Sequence, residues 1–382
     1  MKILMVSIPS LHFTRWTSQL ESSGHEVHWF DILNGGYNKN LPWVTQHTQW
    51  RYKGGDFKGR TWLKKKLPWV HQALENNVEK AFEKVLKEVQ PDVVHTFVMY
   101  ACCVPIFPVM LRYPKLKWVY SSWGSDLFYY KELPNHRKDL ETVLPHIDYM
   151  FSDTLRDQKI AAALGFKGTA LGVFPGGGGF HWNQYQAYVK PPTERETILI
   201  KGYEGRSGRA IAVLKSVLQL EVGLRERFNW KVFGADDEVV AFIQKHKVLT
   251  DLMEIISTKK RMMPHKALLE EMGKSLVYIG NSQSDGMPNT LLEAIGMGAF
   301  PIQSNPGGAT AEVITPGMNG FLIEDEEAVP AIAKTIAQAL TSETLWGTAF
   351  QYNQQKKEQW AFAHIQKEVL TCYHKIATET LL

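Results

Sequence analysis

Residues 278–313 read YIGNSQSDGMPNTLLEAIGMGAFPIQSNPGGATAEV, and the order of elements in this stretch decides the fold. A short apolar strand from Tyr278 gives way to a polar loop holding Gly286 and Pro288. An apolar helix follows, then a second strand from Ala299 to Gln303 and a glycine turn. Strand, loop, helix and strand in that order make one unit of a parallel sheet, and such sheets bind ligands in the loops at the carboxyl ends of their strands. The loop feeding the helix is therefore a site candidate. Pro288 or Asn289 opens the helix, and the backbone N–H groups of Thr290 and Leu291 are expected to be free there, a helix start of the kind that attracts phosphate.

Two acids, Asp285 and Glu293, bracket this anion site with seven residues between them. Sugar hydroxyls are donors and suit carboxylate acceptors, whereas a diphosphate suits backbone N–H groups and cations. A nucleotide sugar carries both. Either acid alone is better read as an ordinary loop or helix residue.

The string DGMPNTLLEA resembles the acid-seven-acid signature of the retaining glycosyltransferases of family 4, commonly EG(L/F)PxxLLEA. The likeness extends upstream through MPHKALLEEMGKSLVYIGNS and downstream through GAFPIQSNPGGATAEVITPGMNGFLI, with the first acid shortened here to Asp285. It implies an α/β protein of GT-B fold: two Rossmann-like domains with parallel sheets facing a central cleft, and a C-terminal helix crossing back to the first domain. It also implies roles. Asp285 would hold the donor sugar, helped by the N–H groups of Gly286 and Met287, and Glu293 would bind the ribose. The helix start at Asn289, Thr290 and Leu291 would face the diphosphate, and Met263, in the turn before helix 265–273, would touch the base through its main chain. The substrate would be a nucleoside diphosphate sugar, with no cofactor and no metal. Retention would follow from front-face attack, the departing phosphate oxygen taking the acceptor's proton.

The chain has 382 residues, 44% of them apolar, enough for two cores. A formal charge of +4 makes no case for nucleic acid. Three cysteines, two of them the adjacent Cys102 and Cys103, make no disulfide framework and suit a reducing cytoplasm. The start, MKILMVSIP, does not read as a signal peptide, and no run of eighteen apolar residues occurs.

The opening strand 2–8, a helix over 13–22 and the strand in GHEVHWFDI give a Rossmann-like beginning without the G-x-G-x-x-G fingerprint. By resemblance the loop holding His12 and Arg15 faces the cleft, which implies contact with the acceptor or the diphosphate, chiefly on the acceptor side; a surface or capping role fits each at least as well. PDVVHTF from Pro91 is a further strand, and the strand 117–122 runs into Trp123-Gly124-Ser125-Asp126. Family members often have His-Gly-Ser-Asp there. An indole only donates, so any role of that histidine passes to Asp126 or to backbone. Residues 50–69, WRYKGGDFKGRTWLKKKLPW, interleave cations with aromatics, a pattern suited to an anionic membrane surface or to an ordinary loop.

Four glycines at 176–179 and the pair Pro191-Pro192 mark residues 176–195 as a hinge between an acceptor-side domain, 1–175, and a nucleotide-sugar domain, 196–355. A final helix, 356–382, would pack back on the first domain with Trp360 as an anchor. After the strand 197–201 comes GYEGRSGRA, where Lys201, Arg206 and Arg209 surround a glycine loop at a strand end and read as a diphosphate clamp, with Lys201 and Arg206 catalytic alongside Asp285 and Asp126. The acceptor would be a glycan or lipid-linked, as in bacterial surface polysaccharide assembly, with the protein cytoplasmic and peripheral on the membrane. Two alternatives stand: a nucleotide-sugar epimerase using His12, His95 and Asp126, or a catalytically silent sugar-nucleotide binder.

Overall fold

The computed structural model describes residues 1–52 and 60–380, and they form two compact units. The first holds residues 1–153, 157–179 and the chain from Ile365; the second holds 154–156 and 180–364.

The first unit is a seven-stranded sheet made of β1 (Lys2–Ser7), β2 (Glu26–Asp31), β3 (Thr45–His47), β4 (Val93–Phe97), β5 (Lys117–Ser121), β6 (Tyr149–Ser152) and β7 (Thr169–Val173). Its order is β3-β2-β1-β4-β5-β6-β7, with every pairing parallel. Both faces are covered, so the strands read as continuous apolar runs, and successive residues feed opposite cores. Leu4 and Val6 join one cluster with Phe30, Val94 and Tyr120, while Ile3 and Met5 join another with Trp16, Trp29 and Phe151.

The second unit repeats the plan with six strands: β8 (Thr197–Lys201), β9 (Asn229–Phe233), β10 (Met253–Ile255), β11 (Ser275–Gly280), β12 (Phe300–Ser304) and β13 (Phe321–Ile323). Their order is β10-β9-β8-β11-β12-β13, again all parallel. Ile198, Ile200, Val277 and Ile279 face one core; Leu199 and Tyr278 face the other. The order reverses between β8 and β11, and it is outside the carboxyl ends of the strands at such a switch point that open α/β sheets hold their ligands.

The C-terminal part departs from the expected single helix. The helix Glu343–Lys356 was not foreseen, because in ETLWGTAFQYNQQK only Ala349 and Asn353 are buried and the apolar period is lost. A 3-10 turn Lys357–Trp360 and an extended Ala361 follow, held by Phe180, whose N–H donates to the Trp360 carbonyl and whose carbonyl accepts from Phe362 N–H, each at 2.8 Å. Trp360 is thus an anchor of the second unit's core, not the first's. The last helix, Phe362–Thr380, belongs to the first unit from Ile365, and Ile365, Val369, Tyr373 and Ile376 line its buried side with Phe13 and Trp16.

The stretch expected to pivot is also more fixed than its glycines suggest. Gly176–Gly179 fall in the first unit, but from Phe180 the chain is built into the second. Phe180 and Trp182 stack with centroids 4.7 Å apart, and the buried Arg195 guanidinium donates to the carbonyls of Lys190, Ser275 and Met297.

Candidate active site

At the β8/β11 switch point the two loops are stitched by backbone. Arg209 N–H donates to the Asn281 carbonyl at 2.8 Å, and Ser284 N–H to the Arg206 carbonyl at 3.2 Å. Gly208 has to be glycine for this approach, since a Cβ there would lie 2.0 Å from the Tyr203 carbonyl oxygen. The result carries Lys201, the last residue of β8, to 3.8 Å from Asp285 Oδ2. Lys201 is nearly buried, and its ammonium also lies over the Tyr203 ring, 4.8 Å from the centroid.

Tyr203 was not foreseen as a site residue. Lys259 also lies 4.6 Å from its centroid and pairs with Asp236 at 2.6 Å, so the ring has two ammonium groups against it. Desolvation first, then the nearby Asp236 and Asp285 carboxylates, raise the Tyr203 hydroxyl above the ordinary phenol value. A Tyr directly after Lys201-Gly202 was the signal available in sequence.

The three predicted cations differ in what they do. Arg209 pairs with Glu327, donates to Gln283 Oε1 at 3.0 Å and to the Gly205 carbonyl, and so braces the loop. Arg206 is half-buried in the same loop. Lys201 touches the acidic motif directly.

The motif helix is Asn289–Gly296, with Pro288 at its cap position and no side-chain cap bond. Contrary to expectation, the Leu291 N–H is occupied, donating to the Pro288 carbonyl at 3.0 Å in a 3-10 first turn. Asn289 and Thr290 are the first residues of the helix, where its dipole would meet an anion. The Tyr278 hydroxyl bonds Thr290 Oγ1 at 3.1 Å and fixes that side chain. The side chains of Met287 and Leu291 are buried in the core, so contacts from these residues would be through backbone, whereas Met263 is half-buried at the edge of the same core. Gly286 N–H donates to Asp285 Oδ1 at 3.0 Å. Glu293 is buried, and Oε1 lies 2.7 Å from His265 Nε2, a partner the sequence reading passed over although Pro264-His265 opens the neighbouring helix. At its far end the motif helix meets Lys357, 3.5 Å from the Gly296 carbonyl, a cation where the helix dipole is negative.

The first-unit residues are distributed differently. His12 is exposed and Arg15 half-buried on the helix Leu11–Ser18. Trp123 packs 4.8 Å from the Phe97 ring and 5.8 Å from His12. Asp126 is engaged in the fold: it is 2% exposed and accepts from Met99 N–H and the Tyr120 hydroxyl. Burial raises its carboxyl to about 7. His95 is buried too, between the Tyr373 hydroxyl at 2.7 Å and Ser121 Oγ at 2.8 Å, and desolvation lowers it to about 3. An epimerase needing His95 and Asp126 to reach substrate would find both inside the fold.

With this geometry in view, comparison with solved structures is decisive for the fold. The sucrose-phosphate synthase of Thermosynechococcus elongatus superposes with a TM-score of 0.73 at 14% identity, covering 99% of each chain. An Anabaena protein solved in complex with UDP and glucose gives 0.70 at 13% identity over 98% of this chain and 100% of that one. A lipopolysaccharide outer core galactosyltransferase gives 0.69 at 16%, over 98% and 99%. The fold is GT-B. Residues 259–359 match the model of the family described as Glycosyl transferases group 1, a stretch that includes His265, Asp285 and Glu293. Comparison with curated protein sequences finds no match. In this GT-B chain, no group of three or more His, Cys, Asp or Glu among the described residues is arranged to hold a metal. No helix among them is long and apolar enough to cross a membrane.

Proposed function

We propose that this chain is a glycosyltransferase that moves a sugar from a nucleoside diphosphate sugar to a glycan or lipid-linked acceptor, with retention at the anomeric carbon. The observation that carries the reading is the meeting of Lys201 and Asp285 at the β8/β11 switch point, where the cationic loop and the acidic motif form one surface. The matched family stretch and the neighbour holding UDP and glucose support it.

In this reading Lys201 and Arg206 face the diphosphate, and the helix start at Asn289 and Thr290 adds its dipole. Asp285 takes hydroxyls of the donor sugar, Glu293 those of the ribose. Charge on the departing diphosphate grows as the bond from anomeric carbon to phosphate oxygen breaks, and preorganised cations favour that change most. The acceptor oxygen bonds the anomeric carbon on the same face, and its proton passes to the leaving phosphate oxygen, so no separate base and no metal enter the scheme. The sugar moves and a nucleoside diphosphate leaves.

The acceptor is assigned to the first unit, with His12, Arg15 and Trp123 as its contacts. Trp62 and Trp69 are 61% and 71% exposed on the short helices Arg60–Lys66 and Pro68–Leu74, beside exposed Lys65 and Lys66. Amphipathic rings with amines alongside suit an anionic leaflet, which supports a lipid-linked acceptor and peripheral attachment at the cytoplasmic face, in surface polysaccharide assembly. Part of the stretch that suggested this, residues 53–59, lies outside the described residues. Three free cysteines suit a reducing compartment.

A second reading, a silent sugar-nucleotide binder, is favoured by Asp126 being enclosed and Trp123 standing where a histidine is usual. Incubation with a panel of nucleotide sugars and membrane-derived glycolipid, scored for free nucleoside diphosphate, separates the two. Release with one donor, and product of unchanged anomeric configuration by NMR, is expected; binding of a donor without release would establish the binder.

A further inference from the structure

Glu293 sits in an environment that would make an unassisted carboxylate a poor ligand group. Its side chain is 4% exposed, on a helix whose neighbouring positions Leu291, Leu292, Ala294 and Ile295 all face the core. A carboxylate in such surroundings is stabilised chiefly by the hydrogen bonds it accepts, and its orientation follows from them. One such bond comes from a different helix. His265, first residue of His265–Lys274, brings Nε2 to 2.7 Å from Glu293 Oε1. A carboxylate that accepts at this distance takes the hydrogen from Nε2. The imidazole is 35% exposed while the carboxylate is almost wholly enclosed. His265 thus lies on the solvent side of the pair, and the bond to it fixes how the carboxylate is turned about its final torsion.

A terminal carboxylate torsion is broad, and two oxygens with about four acceptor positions allow several directions, among which the bond from His265 selects. Holding Oε1 narrows that freedom before any ligand arrives. We propose that His265 is a positioning residue: by holding Glu293 Oε1 it presents the carboxylate to the ribose hydroxyls of the donor, and so sets the preference for ribonucleoside over deoxyribonucleoside diphosphates. The inference rests on the donor-site reading above and adds to it the source of ribose selectivity. A purely structural His265 would tie the two helices together and affect every nucleotide alike. A positioning His265 affects only ligands that have the hydroxyl. A buried acceptor left without its matching donor is what makes a site reject an analogue lacking one group.

The test is calorimetric titration of wild type, His265→Ala and His265→Gln with UDP, GDP and ADP and with the 2′-deoxy and 3′-deoxy form of each. For the diphosphate that wild type binds most tightly, the ribo form is expected to exceed at least one deoxy form by roughly 10- to 100-fold, the range of a hydrogen bond to a charged group. His265→Ala is expected to lose most of that ratio by weakening the ribo form about 10-fold, with the deoxy forms changed less than about 2-fold. His265→Gln, whose amide N–H falls near the place of Nε2, should recover most of the ratio. Equal weakening of ribo and deoxy forms would overturn the proposal in favour of a scaffold role. Tighter binding of the ribo form by His265→Ala would overturn it by showing that the imidazole competes with the ribose. If wild type binds none of the three diphosphates, the donor-site reading fails and this inference with it. Binding with an unchanged ratio in His265→Ala removes this inference alone.

Discussion

Lys201 Nζ stands 3.8 Å from Asp285 Oδ2, joining a cation at the end of β8 to the first acid of the motif after β11. The lysine is 8% exposed and the aspartate 23%, so the pair is poorly screened by solvent and the ammonium is held in place before any ligand binds.

Lys201→Met should therefore lower kcat much more than it raises KM for the donor. A preorganised donor facing charge that develops in the transition state is worth about 2.7–4 kcal/mol, or about 100- to 1000-fold in turnover. A variant with raised KM and wild-type kcat would show that the ammonium binds the ground state only.

Gly296 ends the motif helix under the indole of Trp182: a Cβ there would fall 2.3 Å from Trp182 Cη2. The ring cannot retreat cheaply, because Nε1 donates to the Lys357 carbonyl at 3.0 Å and the indole stacks on Phe180. Gly296→Ala gains about 1 kcal/mol of helix propensity and incurs about 1–3 kcal/mol of overpacking. Net destabilisation is expected, read as a lowered Tm, and Trp182→Phe in the same chain should relieve part of it. A raised Tm for the single variant would mean the linker is not seated on the helix.

His95 predicts a pH dependence of stability. Its folded value of about 3 lies below the unfolded value of about 6.5, so the unfolded chain binds more protons between those limits. Stability from this group is complete above about pH 6.5 and falls as the pH drops toward 3. Asp126 acts in the opposite sense. The folded protein keeps its proton up to about 7 while the unfolded chain releases it near 3.9, so its contribution weakens as pH rises across that window. The wild-type profile mixes the two, and the informative quantity is the difference between wild type and His95→Gln in urea unfolding. That difference should be about 2 kcal/mol smaller at pH 5 than at pH 8. A difference independent of pH would mean the imidazole titrates alike in both states.

The exposed tryptophans make docking to lipid measurable. Sedimentation with anionic liposomes at low salt should carry wild type into the pellet. Changing Lys64, Lys65 and Lys66 to Ser should release much of it, at ~1 kcal/mol per lysine. High salt should do the same. Wild type remaining in the supernatant at low salt points to a soluble acceptor instead.

How far the sequence could be read depended on where each signal lay. The strand-loop-helix-strand order of 278–313 and the apolar strands 2–7 and 197–201 were legible because fully buried parallel strands are continuous apolar runs. The helix Glu343–Lys356 was not, because its fully buried residues are the small Ala349 and the polar Asn353, while Leu345 and Trp346 pack on the core only in part. Trp360 was assigned to the wrong unit because burial of a tryptophan is foreseeable while its partner is not; the pairing of Phe180 with Ala361 that decides it joins residues distant in sequence. The same limit applied at the site. Asp285, Glu293 and Lys201 carry a spacing signal, but His265 becomes a partner of Glu293 only when two helices pack, and Tyr203, after β8, meets Lys259, after β10, only across the sheet with β9 between them. Asp126 shows the reverse case, a polar residue at a strand end that the fold itself uses to hold Met99 and Tyr120.

The central claim is that the second unit holds a nucleoside diphosphate at the β8/β11 switch point. A crystal soaked with the tightest-binding of UDP, GDP and ADP tests it most directly. The account predicts the diphosphate within hydrogen-bond distance of Lys201 or Arg206 and of the backbone at Asn289 or Thr290, with the ribose on Glu293. A nucleotide bound elsewhere, with that switch point empty, would contradict it.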